Sequence, residues 1–197
     1  MTTTAQTRLA EDLKTIEIMV DDMEAYLESD NLFGPTLYTD QPLTTLGGYF
    51  LREHRLQALS DNLLEPDEQA RLEAATSKFA RLAGEYQNRM KEKIHQELAA
   101  RINQWDTYLE ELDYEEADSA DYYHAEVEKR AIIAAIIKQM PAYVTSFQLG
   151  PDFSNQIDDM DNRLRQYWQS GPFVWPSEWK PAYPSSTYWW LDGRPNP

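Results

Sequence analysis

The sequence contains no cysteine and few basic residues, and both shortages narrow the range of functions. Without cysteine there are no disulfides, thiolate nucleophiles or cysteine-ligated metal sites. The three histidines leave little scope for histidine-based catalysis. Lysine and arginine number 18 against 34 aspartates and glutamates, which gives a formal net charge of −16. We therefore expect neither nucleic acid nor an anionic membrane as a direct partner, because binding to phosphate needs clustered basic side chains.

Long apolar segments are also missing. The longest apolar run, residues 131–137, is much shorter than the ~20 residues that a membrane-spanning helix needs. The first residues show neither the basic stretch nor the apolar stretch of a secretory signal. We therefore expect a cytoplasmic protein. Aromatic residues, in contrast, are plentiful, with 6 tryptophans, 12 tyrosines and 6 phenylalanines to fill a core.

Apolar residues recur at spacings of three and four along most of the chain, which predicts an all-α fold. We expect an up-and-down bundle of five helices, with one long central helix. Gly84 is the most favourable place for a bend or break in that long helix, and Pro141 should kink or end the next one. The all-apolar segment 131–137 fits either the core of a monomer or a homodimer interface. The predicted helices cover residues 5–28, 45–62, 66–114, 118–147 and 152–169.

Residues 172–197 differ from the rest of the chain, because they combine six prolines with many aromatic residues. The prolines should exclude regular structure. Because disordered tails are normally poor in aromatics, we expect residues 1–171 to form the bundle domain and 172–197 to pack on it as a strap. Alternatively the tail inserts into a partner protein. We expect Trp189 and Trp190 to be its most exposed part, and the candidate partner-binding residues are Trp175, Trp179, Trp189 and Trp190.

Candidate catalytic residues are sparse. Glu53 falls between Phe50 and Leu56 on the apolar side of the second helix. Its carboxylate could be buried against Arg52 or His54, and a buried carboxylate paired with histidine can act as a general acid or base. Glu53 and His54 are therefore the candidate catalytic residues. The more common alternative is a structural ion pair or a solvated boundary residue.

Two acid-x-x-His pairs have the spacing of metal ligands in helical bundles: Glu92 with His95, and Asp121 with His124. Glu92 points away from the buried stripe of its helix, and in an antiparallel hairpin the two pairs would lie roughly 20 Å apart. Motifs for phosphate loops, dinucleotide binding and activated serine nucleophiles are missing from the sequence. We therefore expect no metal site and no cofactor.

The segment 110–121 is strongly acidic, with seven carboxylates in twelve residues. The simpler interpretation is a solvated turn between helices. The more specific one is a docking segment for a basic partner, with Glu115 and Glu116 as candidate contact residues, or mimicry of a phosphate backbone. A calcium site is not expected, because the central glycine of the EF-hand pattern is missing.

These observations favour a non-catalytic interaction or adaptor protein that binds another protein. Strong acidity, an aromatic-rich terminus and the lack of catalytic motifs support this hypothesis. Two alternatives stay open. One is an enzyme or small-ligand-binding bundle with its site near Glu53 and His54. The other is an acidic mimic of nucleic acid that inhibits a nucleic-acid-binding protein.

Overall fold

The computed structural model describes residues 4–34, 43–114, 119–145 and 147–196. Helices dominate these ranges, which confirms the predicted all-α class. Short 3-10 helices cover Ser119–Tyr122, Ser177–Ala182 and Trp189–Leu191, and two short strands are β1 (Trp168–Ser170) and β2 (Gly193–Pro195). The α-helices are α1 (Thr4–Glu28), α2 (Leu46–Leu63), α3 (Pro66–Glu85), α4 (Gln87–Asp113), α5 (Tyr123–Tyr143) and α6 (Pro151–Tyr167).

The chain divides into two compact units, and each is built from two separate stretches of sequence. The first unit comprises Met1–Glu97 and Ala135–Phe147. The second unit comprises Leu98–Ala134 and Gln148–Pro197. Helices α4 and α5 therefore each contribute residues to both units.

In the first unit, α1 packs against both α2 and α3. A buried ion pair joins α1 to α2, because the Arg55 guanidinium donates to both carboxylate oxygens of Asp12 at 2.8 and 3.1 Å. Thr45 caps the start of α2 by accepting the Gly48 N–H at 2.9 Å. The predicted apolar stripe of α1 is buried throughout, at Leu9, Leu13, Ile16, Val20, Met23 and Leu27.

The long central helix predicted over 66–114 is divided at Tyr86, close to Gly84, where a bend or break was expected. The division lies two residues beyond Gly84. The Gln87 side-chain amide donates to the carbonyl of Ala83 at 2.8 Å. A continuous helix would use that carbonyl for the backbone N–H of residue 87. The same amide also donates to the carbonyl of Tyr143 at 2.8 Å, so a distant residue supports the break.

The C-terminal segment has more regular structure than its prolines suggested. Strands β1 and β2 form an antiparallel ribbon in which Ser170 faces Gly193 and Trp168 faces Pro195. The expectation that residues 172–197 contain no regular structure is therefore wrong. Both strands of a two-stranded ribbon are edge strands, and an edge strand tolerates proline. Gly193 has a φ of +153°, and a Cβ there would lie 2.2 Å from the carbonyl oxygen of Gln169.

The same segment packs against α5 within the second unit. The hydroxyl of Tyr123 donates to the carbonyl of Trp190. The Arg130 guanidinium lies 3.9 Å from the centroid of the Trp190 ring, and the indole N–H of Trp175 donates to the carbonyl of His124 at 3.3 Å. These contacts hold the tail against the first part of α5 at Trp175 and Trp190.

The apolar segment 131–137 lies inside α5. Residues 131–133, 135 and 136 are buried within the chain itself, so they contribute to its own core. Pro141 lies in the last turn of α5, which ends at Tyr143 as the proline predicted. Helices long and apolar enough for a membrane span are absent from the described part of the chain.

Candidate functional site

Glu53 is buried on α2 with an exposed fraction of 0%. Its partners are two tyrosines: the hydroxyl of Tyr49 donates to Glu53 Oε1 at 3.2 Å, and the hydroxyl of Tyr143 donates to the same oxygen. The expected pairing with Arg52 or His54 is therefore wrong. The Arg52 guanidinium instead donates to the carbonyl of Gly48 one turn back, at 2.9 Å. His54 is buried as well, but it is not a hydrogen-bond partner of Glu53.

Aromatic rings enclose the Glu53 carboxyl group. The rings of Tyr49 and Phe79 stack at 3.9 Å, and Tyr143 lies edge-on to Phe79 at 4.8 Å. Burial raises the pKa of Glu53 above its ordinary value, although the hydrogen bonds from Tyr143 and Tyr49 act in the opposite direction. Glu53 Oε2 is buried and has no hydrogen-bond partner among the described residues. The arrangement therefore makes Glu53 easier to protonate than an exposed glutamate, and its carboxyl group exposes no surface to a substrate.

The candidate partner-binding tryptophans pack against other residues of the second unit. Trp190 is only 4% exposed, so the prediction that it belongs to the most exposed part of the tail is wrong. The other three are half-buried. Trp189 lies edge-on to Trp168 at 5.2 Å, and Trp175 lies edge-on to Trp179 at 6.2 Å. The other candidate partner residues, Glu115 and Glu116, lie outside the described residues.

Among the residues that the structure describes, the most exposed aromatic side chains occur on the acidic segment instead. Tyr114 is 80% exposed and Tyr122 is 61% exposed. They belong to residues 110–122, which we call the acidic tyrosine segment, and its carboxylates at Glu110, Glu111 and Asp121 are exposed too. Sequence reasoning found the acidity of this segment but not its tyrosines. The sequence did hold a signal for Tyr114. It lies two residues beyond Leu112, the last buried apolar residue of α4, and so falls off the buried face of the helix.

Arg163 and Tyr167 fasten α6 to α4 in the second unit. The Arg163 guanidinium donates to Asp106 through Nη1 and to Asp113 through Nε, both at 2.7 Å. The hydroxyl of Tyr167 donates to the other oxygen of Asp113 at 2.8 Å. The charge of Arg163 is therefore compensated by two carboxylates.

A groove of about 260 Å³ lies beside this clamp, and we call it the α4–α6 groove. Ile102 and Met160 are buried apolar residues of its lining, whereas Gln156 and Asp159 are exposed. Sequence reasoning missed this groove, because its residues come from two helices about 50 positions apart. The full lining is Ile102, Asp106, Gln156, Asp159, Met160 and Arg163.

The acid-x-x-His pairs lie on the surface. Glu92 and His95 are exposed on α4, and Glu92 accepts a hydrogen bond from Arg89 at 2.8 Å. His124 is exposed, and its ring nitrogen Nδ1 lies 3.2 Å from the carbonyl oxygen of Asp121. Among the described residues, no three histidine, aspartate or glutamate side chains lie together as metal ligands.

Comparisons with protein-family models, with curated proteins and with solved structures find no match to this chain. Analogy with a known protein therefore contributes nothing to the assignment of function.

Proposed function

We propose that this protein is a non-catalytic interaction protein of the cytoplasm that binds a basic partner protein. The observation that carries the proposal is the acidic tyrosine segment, where two strongly exposed tyrosines stand among exposed carboxylates. Exposed tyrosines are typical anchors of protein interfaces, because they bury a large area with few rotatable bonds. Surrounding carboxylates select a partner of opposite charge and increase its rate of association.

The chemistry of such a contact follows from the residue types. Lysine and arginine side chains of a partner would pair with Glu110, Glu111 and Asp121. Their cationic groups can also stack on the faces of Tyr114 and Tyr122, which adds about 0.5–1 kcal/mol for each exposed contact. The net charge of −16 attracts basic proteins from a distance, more strongly at low salt.

The two other candidate sites support this proposal indirectly. The tail tryptophans pack against one another and against α5, which favours a structural role for the tail. Glu53 is enclosed by aromatic rings, which favours a structural role for the candidate catalytic residue. The enzyme alternative would require a movement that brings substrate to Glu53.

The test is a quantitative capture experiment, in which the full chain is the bait in an extract of the cells that naturally produce it. A variant with five substitutions removes the two exposed tyrosines and three carboxylates of the acidic tyrosine segment. It keeps Asp113, which binds Arg163. We expect basic proteins on the wild-type bait and their loss from the variant. The substitutions are Glu110→Gln, Glu111→Gln, Tyr114→Ala, Asp121→Asn and Tyr122→Ala.

The control removes the same number of carboxylates, three, and one exposed apolar side chain from the first unit, through Leu43→Ala, Glu11→Gln, Asp61→Asn and Glu73→Gln. This control should capture the same partners as the wild type. Equal loss from both variants would show that charge alone, not the segment, recruits the partner. Capture of no protein by the wild type, together with turnover of a small molecule, would overturn the proposal in favour of an enzyme.

A further inference from the structure

The α4–α6 groove combines an apolar lining with one uncompensated carboxylate. Ile102 and Met160 supply the buried apolar lining, one from each helix. Asp106 is already paired with Arg163, whose guanidinium also reaches Asp113. Asp159 has no hydrogen-bond or ion-pair partner in the described ranges, so its charge dominates the opening.

This combination selects the chemistry of the occupant. A cationic side chain with an apolar stem satisfies both parts, because its methylene groups can cover Ile102 and Met160 while its charged end reaches Asp159. An anion would meet the carboxylates of Asp106 and Asp159, and the one arginine of the lining is already paired. A purely apolar side chain could cover Ile102 and Met160, but it would leave the carboxylate of Asp159 next to an apolar surface and without a partner.

We propose that the α4–α6 groove receives one lysine or arginine side chain from a basic segment of a partner protein. Gln156 is an exposed residue of the lining, and its side-chain amide can supply a second acceptor. The inference rests on the proposed function, because it assumes a basic partner. It adds the place where one side chain of that partner is recognised.

The probe is a set of nine-residue peptides made of glycine, serine and two lysines, with a single central position that varies. The central residue is arginine, lysine, citrulline or glutamate. Citrulline has nearly the shape of arginine without its charge. Binding to the full chain is followed by NMR of ¹³C-methyl-labelled methionine, in which Met160 reports on the groove and the other methionines serve as internal references. The substitution Met160→Leu assigns the signal.

We expect the Met160 methyl signal to shift saturably with the arginine and lysine peptides, and much less with the citrulline peptide. The substitution Asp159→Asn should weaken binding about two- to fivefold, as expected for the loss of one partly exposed ion pair. The matched control Asp158→Asn removes the same charge from the neighbouring position, which does not line the groove. It should change the affinity by less than about 1.5-fold.

Several results would overturn the inference. If the peptides bind and both Asp variants weaken binding equally, attraction is diffuse, so the groove inference fails while the proposed function stands. If the glutamate peptide shifts Met160 most, the groove is an anion site. If Met160 shifts with protein concentration alone, a second copy of the chain is the occupant. If no peptide binds at low salt, the inference and the proposed function both fail.

Discussion

The Glu53 carboxyl group should make the stability of the first unit depend on pH. Burial raises its pKa in the folded chain, whereas the unfolded value is about 4.3. The folded chain therefore holds the proton more tightly than the unfolded chain does. The stability that the neutral acid provides is complete below the unfolded pKa, and it is lost as pH rises through the folded pKa.

The substitution Glu53→Gln should remove this dependence, because glutamine keeps the shape of glutamic acid and does not ionise. As pH rises above the unfolded pKa of about 4.3, the wild type should lose free energy of unfolding relative to the variant, until pH passes the raised folded pKa. Urea unfolding, monitored by circular dichroism at a series of pH values, measures the free energy of unfolding of the wild type and of the variant. Glu73→Gln, at an exposed position of α3, is the control and should keep the wild-type slope. Parallel curves for wild type and Glu53→Gln would contradict this account of the site.

The ion pair between Arg130 and Asp161 should be a major source of stability in the second unit. The guanidinium donates to both carboxylate oxygens at 2.8 and 2.9 Å, and both residues are buried. Asp161→Asn leaves a buried cation under Trp190, so we expect a loss of about 3–5 kcal/mol in urea unfolding. The exposed neighbour Asp158→Asn should stay within about 0.5 kcal/mol of the wild type. A small loss for Asp161→Asn would mean that water or another group reaches Arg130.

At the scale of elements, two glycines should respond to alanine in opposite directions. Gly84 lies in α3 with open space around its Cα, so Gly84→Ala should stabilise the chain by about 0.5–1 kcal/mol. Gly193 is confined by the carbonyl of Gln169 and by its positive φ. Gly193→Ala should therefore lower the melting temperature and disrupt the ribbon of β1 and β2. Thermal unfolding of both variants tests this contrast, and a stabilised Gly193→Ala variant would contradict the ribbon geometry.

Most helices could be predicted from local sequence, because their signals are local. The spacing of apolar residues places α1, and proline next to glycine at 150–151 marks the start of α6. Gly84 indicated roughly where the long helix divides. The exact position at Tyr86 could not be predicted, since the Gln87 amide that supports it also bonds to Tyr143. Helix ends that depend on a distant partner leave no mark in the neighbouring residues.

The candidate sites were less predictable for the same reason. Acidity and aromatic content are properties of composition, so they were visible in the sequence. The hydrogen bond from Tyr143 to Glu53 spans 90 positions, and the one from Arg163 to Asp106 spans 57. Pairings over such distances depend on how helices pack, and this packing cannot be read from local patterns in a single sequence. The exposure of Tyr114 and the burial of Trp190 follow from that packing.

The charge of the whole chain should make its stability depend on salt. A net charge of −16 opposes compaction at low ionic strength, and salt screens that repulsion. Raising NaCl from about 10 mM to about 150 mM should therefore raise the melting temperature by a few degrees near neutral pH. Near the sequence pI of about 4.5 the effect should be much smaller. A fall in melting temperature would show that surface ion pairs, such as Arg71 with Glu17, outweigh the repulsion.

The division into two units also allows two spectroscopic signals to report on different parts of the protein. All 6 tryptophans belong to the stretches Leu98–Ala134 and Gln148–Pro197, so indole fluorescence reports on the second unit alone. Far-ultraviolet dichroism instead reports on the helices of both. Because α4 and α5 supply residues to each unit, we expect the two signals to change at one temperature. Two separate transitions would mean that each helix can melt over half its length while the other half survives.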